Sequence, residues 1–227
     1  MIRELVNAIC FRLIHGLPRK PNYQVAKLTL KEGDRLIVKV DAHQHFWRLA
    51  RDDYGWLTAD KAAIYRDFLP KDLEPLLRAA GIARTVLVQA APTEAETEFL
   101  LALAAETSFV AGVVGWLDFE APDAALRVAR MAARPGLLGL RPMIQDIPDI
   151  GWILRPTLAP TLMAMTRAGL VFDALVTPRH LPNLRRLLAR TAGLAVVIDP
   201  GAKPESERNA RVDWARDRRR LAAESNA

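Results

Sequence analysis

From residue 36 onward the chain repeats one pattern. A short apolar, often β-branched run is closed by a polar residue and followed by a stretch of helix formers. The runs occupy residues 36–40, 85–88, 109–115, 137–140, 170–172 and 194–198. They are continuous rather than alternating, which predicts parallel strands covered on both faces. Between them the spacing predicts helices over 70–80, 94–106, 122–133, 159–168 and 182–191. Gly81, Gly169 and Gly193 fall just past a helix and before a strand, where a left-handed residue ends a helix at no steric cost. Pro122 and Pro182 suit a first helical turn, where the missing N–H has no partner to lose.

The polar residues that close the runs narrow the architecture. In order they are Asp41 with His43 and His45, Gln89, Trp116 with Asp118, Arg141, Asp173 and Asp199. Six strand ends of this kind predict a TIM-barrel-like (β/α) barrel, whose site collects residues from the C-terminal ends of many strands. The first strand is followed by no glycine-rich phosphate fingerprint, which argues against a dinucleotide-binding sheet. Residues 41–227 fall short of the roughly 200-residue minimum for eight βα units. The expectation is therefore an incomplete barrel over residues 36–227, with about six of eight strands and without the last ones. Residues 1–35 read as an N-terminal extension outside the fold.

Composition changes this picture little. With 51% apolar and 26% charged residues the chain reads as a globular protein with a sizeable core, and no apolar run has the length of a membrane span. The net charge of +6 comes from 32 Lys and Arg against 26 Asp and Glu. Those charges are interleaved along predicted helices without aromatic partners, so no nucleic-acid partner is expected. Cys10 is the single cysteine, which favours a cytoplasmic setting. Residues 1–20 are mildly amphipathic but lack a secretory core and cleavage site.

The chemistry concentrates at the first strand. His43 and His45 are two apart, so their side chains share one face. On spacing alone the pair suits a divalent metal, an acid/base couple, or a histidine that merely caps a loop. Lys39 is an awkward neighbour on that face, because an inward charge must find a partner.

The run Val40-Asp-Ala-His-Gln-His-Phe-Trp47 resembles the opening strand of the amidohydrolase superfamily, in its lactonase branch. That branch includes L-fucono- and L-rhamnono-lactonase types. Further matching blocks are Thr85-Val-Leu-Val-Gln-Ala90, Thr93-Glu-Ala-Glu-Thr97, Gly115-Trp116, Gly139-Leu-Arg-Pro142, Phe172-Asp173 and Val197-Ile-Asp199. The resemblance implies a hydrolase acting on a small cyclic ester such as a sugar-acid lactone. It implies that His43 and His45 bind one zinc-like divalent ion or polarise the lactone carbonyl. Arg141 would hold a substrate carboxylate or hydroxyl, or else form a structural salt bridge under the barrel mouth. Gln89, Trp47 and Trp116 would line the pocket, the two tryptophans being equally open to ordinary core packing. His180 reads as a loop residue.

Two departures from the family pattern bear on turnover. Family members usually read Ile-Asp-His where this chain reads Ile198-Asp199-Pro200, and proline supplies neither ligand atom nor titratable group. The family's last strand carries an aspartate that serves as base, and no such strand follows here. The alternative expectation is a non-catalytic remnant or binding module that keeps a ligand pocket. Two open barrel edges would also favour a homo-oligomer that covers them.

Overall fold

The computed structural model describes residues 39–199, 214–216 and 219–220. The expected N-terminal extension lies outside the described residues. Six strands form one parallel sheet in the order of the chain: β1 (Val40–Gln44), β2 (Arg84–Val88), β3 (Val110–Gly115), β4 (Leu137–Leu140), β5 (Val171–Leu175) and β6 (Val196–Asp199). Five helices alternate with them: α1 (Pro70–Ala80), α2 (Glu94–Glu106), α3 (Ala124–Ala132), α4 (Ala159–Ala168) and α5 (Leu181–Arg190). This is the expected incomplete (β/α) barrel, with β1 and β6 as the sheet edges among the described residues. The sheet is curved, because a side chain of β1 touches one of β6: His43 Nδ1 lies 2.8 Å from Asp199 Oδ1.

Helices α1, α2 and α4 begin and end where the sequence predicts, and their ends show why. Gly81 and Gly169 take φ values of 64° and 66° to close α1 and α4. At the start of α2, Thr93 Oγ1 accepts the Glu96 N–H at 3.0 Å, satisfying one of the orphan donors of the first turn. Other boundaries shift by one to four residues, two of them instructively. Pro122 precedes α3 instead of starting it, since Asp123 is the N-cap. The sequence places the first strand over 36–40, whereas β1 runs from Val40 through the histidine motif. Its pairing with β2 (Val40↔Arg84, Asp41↔Thr85, Gln44↔Leu87) carries the strand further than its apolar run.

The core lies between the sheet and its helices. Leu87, Val113, Leu140 and Phe172 from the strands pack with Leu100 of α2, Val128 of α3, Met165 of α4 and Leu184 of α5, all buried. A smaller cluster of Tyr54, Leu57, Ala90 and Ala91 lies under the long β1–α1 connection, with Trp47, Leu49 and Ile64 packed against it. Thr93 ties that connection to α2 by donating to Asp53 Oδ2 at 2.7 Å. Thr93→Ala removes both the helix cap and this bond. The expected loss is about 1–2 kcal/mol in urea denaturation, with an unchanged m-value.

Candidate active site

At the C-terminal ends of the strands, polar side chains from several elements meet. His45 Nδ1 lies 2.8 Å from the Val88 carbonyl, which can only accept, so Nδ1 carries the proton and Nε2 a lone pair. That Nε2 stands 3.0 Å from His43 Nε2. His43 Nδ1 in turn faces Asp199 at 2.8 Å, and the other Asp199 oxygen accepts from Arg141 Nη1 at 2.6 Å. Arg141 Nη2 donates to the Gln89 carbonyl, and Gln89 Nε2 donates to the Arg141 carbonyl at 2.9 Å. One chain of contacts thus joins β1 and β6 to the residues that follow β2 and β4. His43 is 18% exposed and Asp199 only 3%, so a solute reaches the imidazole but not the carboxylate behind it.

Electrostatics divide these groups clearly. Loss of water around His45, followed by the charge of Arg141, pushes its pKa down to about 3, so the ring is neutral. Burial pushes Asp199 up, but hydrogen bonding to and the charge of His43, together with Arg141, outweigh it and hold the carboxyl below its ordinary range. Asp173 goes the other way. Burial and the neighbouring Asp199 push it well up, and Arg141 does not offset them. Its Oδ1 has no hydrogen-bond partner among the described residues. The opposite directions of the two shifts make Asp199 the ionised member of the pair and Asp173 the one that holds its proton.

The six residues expected at the site separate into two groups. His43, His45, Arg141 and Gln89 are brought together. Arg141 is buried with both terminal nitrogens on protein acceptors, so its fork faces Asp199 rather than a substrate. Gln89 is fully buried beside it. Trp47 sits apart, half-buried, its Nε1 donating to the Arg66 carbonyl at 2.8 Å and its ring against Trp56 and Phe68. Trp116 follows β3, and its backbone N–H and carbonyl both bond Thr97 Oγ1, at 2.8 and 3.0 Å. His180 is in a short turn as expected, yet it is fully buried and its Nδ1 accepts the Thr177 N–H at 3.1 Å. Two members of the cluster had no role assigned from sequence: the Asp199 bridge and the neutral Asp173. Their signals were their place at strand ends and in the matching blocks Phe172-Asp173 and Val197-Ile-Asp199.

The imidazole pair has the outer support typical of metal-ligating histidines, each Nδ1 being held by a protein acceptor. A proton on His43 Nε2 makes the 3.0 Å contact a hydrogen bond. Without it two lone pairs face each other, an arrangement that a cation relieves. Zinc sites, however, need three or four protein donors. Among the described residues no group of three or more His, Cys, Asp or Glu could hold a metal ion, and both Asp199 oxygens are engaged. The donor set present does not fit a resident divalent ion.

Residues 40–226 match the family model for amidohydrolases. The chain belongs to the amidohydrolase family. Among relatives, it is 48% identical over 188 residues to an L-fucono-1,5-lactonase of Burkholderia ambifaria, covering 83% of this chain and 65% of that protein. It is 36% identical over 186 residues to an L-fucono-1,5-lactonase of Burkholderia multivorans, covering 82% and 62%. This amidohydrolase-family chain thus spans slightly less than two thirds of the length of these relatives. A crystal structure of an amidohydrolase from Burkholderia multivorans with bound zinc superposes with a TM-score of 0.75 at 35% identity, over 82% of this chain and 66% of that one. Among the described residues no helix is long and apolar enough to cross a membrane.

Away from the histidines lies a third buried acid, Glu96 in the first turn of α2. Its carboxylate accepts the Ala90 N–H on both oxygens at 3.0 Å and the Ala91 N–H at 2.6 Å. Burial nevertheless drives its pKa up to about 7.

Two tests follow from these charge states. Asp199→Asn leaves Arg141 buried without a counter-charge and is expected to cost about 3–5 kcal/mol. Asp173→Asn replaces one neutral group by another and should stay within about 1 kcal/mol, both read by urea denaturation at pH 7. Glu96, with its folded pKa raised, contributes stability that is complete below about pH 4.5 and is lost as pH rises through about 7. Glu96→Gln should therefore flatten the wild-type decline between pH 4.5 and 8, by on the order of 3 kcal/mol. Thermal melts across that range check it.

Proposed function

We propose that the chain hydrolyses the 1,5-lactone of a sugar acid, with His43 as the acid/base residue. The observation that carries this is the contact between His43 and the buried, ionised Asp199, in a chain similar to two L-fucono-1,5-lactonases. Asp199 accepts the His43 Nδ1–H, so Nε2, which faces His45 Nε2 at 3.0 Å, is the nitrogen left to take a proton. A water attacking the lactone carbonyl gives its proton to His43 Nε2, and the carboxylate stabilises the imidazolium that forms. Collapse of the tetrahedral intermediate breaks the bond to the ring oxygen, and His43 returns the proton to that oxygen. The product is the open-chain hydroxy acid.

In this reading His45 is the neutral neighbour whose Nε2 lone pair accepts a hydrogen bond from His43 Nε2 once that nitrogen has taken the proton. Arg141 keeps Asp199 ionised, and Gln89 keeps Arg141 in place. Trp116, directly after β3, supplies an apolar wall for a sugar-like ring, whereas Trp47 stands apart against Trp56 and Phe68. A bound divalent ion would supply Lewis-acid polarisation of the carbonyl, and in the zinc-bound relative such an ion is present. Among the described residues the two imidazoles supply too few donors to hold one.

The test uses the purified full chain and L-fucono-1,5-lactone, with spontaneous opening subtracted. His43→Asn and Asp199→Asn are each expected to lower kcat/KM by about 10²-fold or more. Absence of wild-type turnover above the spontaneous rate overturns the reading. A second reading, a pocket that binds without turnover, is favoured by one observation: Pro200 follows Asp199, where it supplies no further donor. Saturable calorimetric binding of L-fuconate by a chain without turnover would select it.

A further inference from the structure

The β1–α1 connection carries an aromatic residue with no part in the chemistry above. Trp56 is 37% exposed, although exposing an indole to water is unfavourable. It is also held in place. Its Nε1 donates to the Ala90 carbonyl at 2.8 Å, and its ring meets Trp47 and Tyr54 edge-on, with centroids 5.7 and 6.4 Å away. Neither contact stacks flat on the indole, the interplanar angles being 82° and 76°, and part of the ring stays open to water.

The anchor of this ring is itself held by hydrogen bonds. Ala90 and Ala91 are pinned through their N–H groups by the fully buried Glu96. Val88, two residues before Ala90, holds His45 through its carbonyl. Trp56 and His45 thus hang from one three-residue stretch at the end of β2, and the indole keeps a fixed offset from the imidazoles. A rigid apolar plate at the rim of a polar site suits a ligand that is polar at one end and apolar at the other.

We propose that Trp56 is a specificity-determining residue, its exposed indole receiving the C–H face and terminal methyl group of a 6-deoxy aldono-1,5-lactone. This rests on the lactone reading above and adds a preference within it. The ring ester lies at His43 and the C6 methyl against Trp56. A C6 hydroxyl would be set against an apolar plate, away from water and without a partner on the indole face.

The test compares L-fucono-1,5-lactone with L-galactono-1,5-lactone, which differs only by a hydroxyl on C6. Trp56→Leu is expected to raise KM for the methyl substrate about three- to tenfold, with kcat within about twofold. KM for the hydroxylated substrate should change less, so the preference for the methyl substrate falls. Trp56→Phe keeps an aromatic plate without its Nε1 anchor, and should retain part of the preference; it also serves if the leucine variant does not fold. Equal changes on both substrates, or a loss confined to kcat, overturn the proposal by marking a merely structural role. Calorimetric titration with L-fuconate and L-galactonate separates the two readings. Trp56-dependent preference for L-fuconate in a chain without turnover supports the role of Trp56 while removing the catalytic reading. Turnover with an unchanged preference in both variants removes the role of Trp56 alone.

Discussion

The carboxylate of Asp199 lies where water barely reaches it, and a buried charge costs several kcal/mol unless it is matched and hydrogen-bonded. Here each oxygen is matched once, by the imidazole of His43 and by the guanidinium of Arg141. The rest of the mouth follows from that pairing. It fixes which nitrogen of His43 faces inward, it commits Arg141 to the interior, and its charge adds to burial in keeping Asp173 neutral. It also draws together the two edges of the sheet. A sheet of six strands has no ladder to join its first strand to its last, so a side-chain contact between them is the direct sign of its curvature.

How much of this was legible in the sequence depends on the range of the interaction concerned. Helices α1, α2 and α4 could be bounded to the residue, because local chemistry ends them: glycine at 81 and 169, threonine at 93. The start of α3 could not, since Pro122 and Asp123 compete for the same turn and only packing decides between them. The first strand was misplaced because its apolar run stops at Val40, while its pairing with β2 continues to Gln44. Strand pairing is a property of two segments, and one segment does not disclose it.

The same distinction governs the site. The shared face of His43 and His45 is a two-residue spacing, and it was readable. The partner of His43 comes from the last strand, and nothing near residue 43 indicates it. Arg141 was open to two readings, and burial beside Asp199 places it in the interior network. Trp47 and Trp116 stood at strand ends in sequence, yet the backbone after β1 turns Trp47 toward Phe68 and Trp56 instead of toward the imidazoles. Glu96 was visible as part of a motif, but its task, pinning two backbone amides of the preceding turn, belongs to the folded chain alone.

The neighbouring-strand order of the sheet has a kinetic consequence. Each βα unit lays its strand against the one made just before it, so the sheet can grow by local additions with modest loop-closure cost. The contact between His43 and Asp199 is of another kind, because it joins the first strand to the sixth. It cannot form until β6 has docked, and until then His43 has no carboxylate and Arg141 no counter-charge. Assembly of the scaffold and assembly of the charged cluster are therefore separate events in folding. A partly folded chain would have native-like helices and strands well before it had a competent mouth.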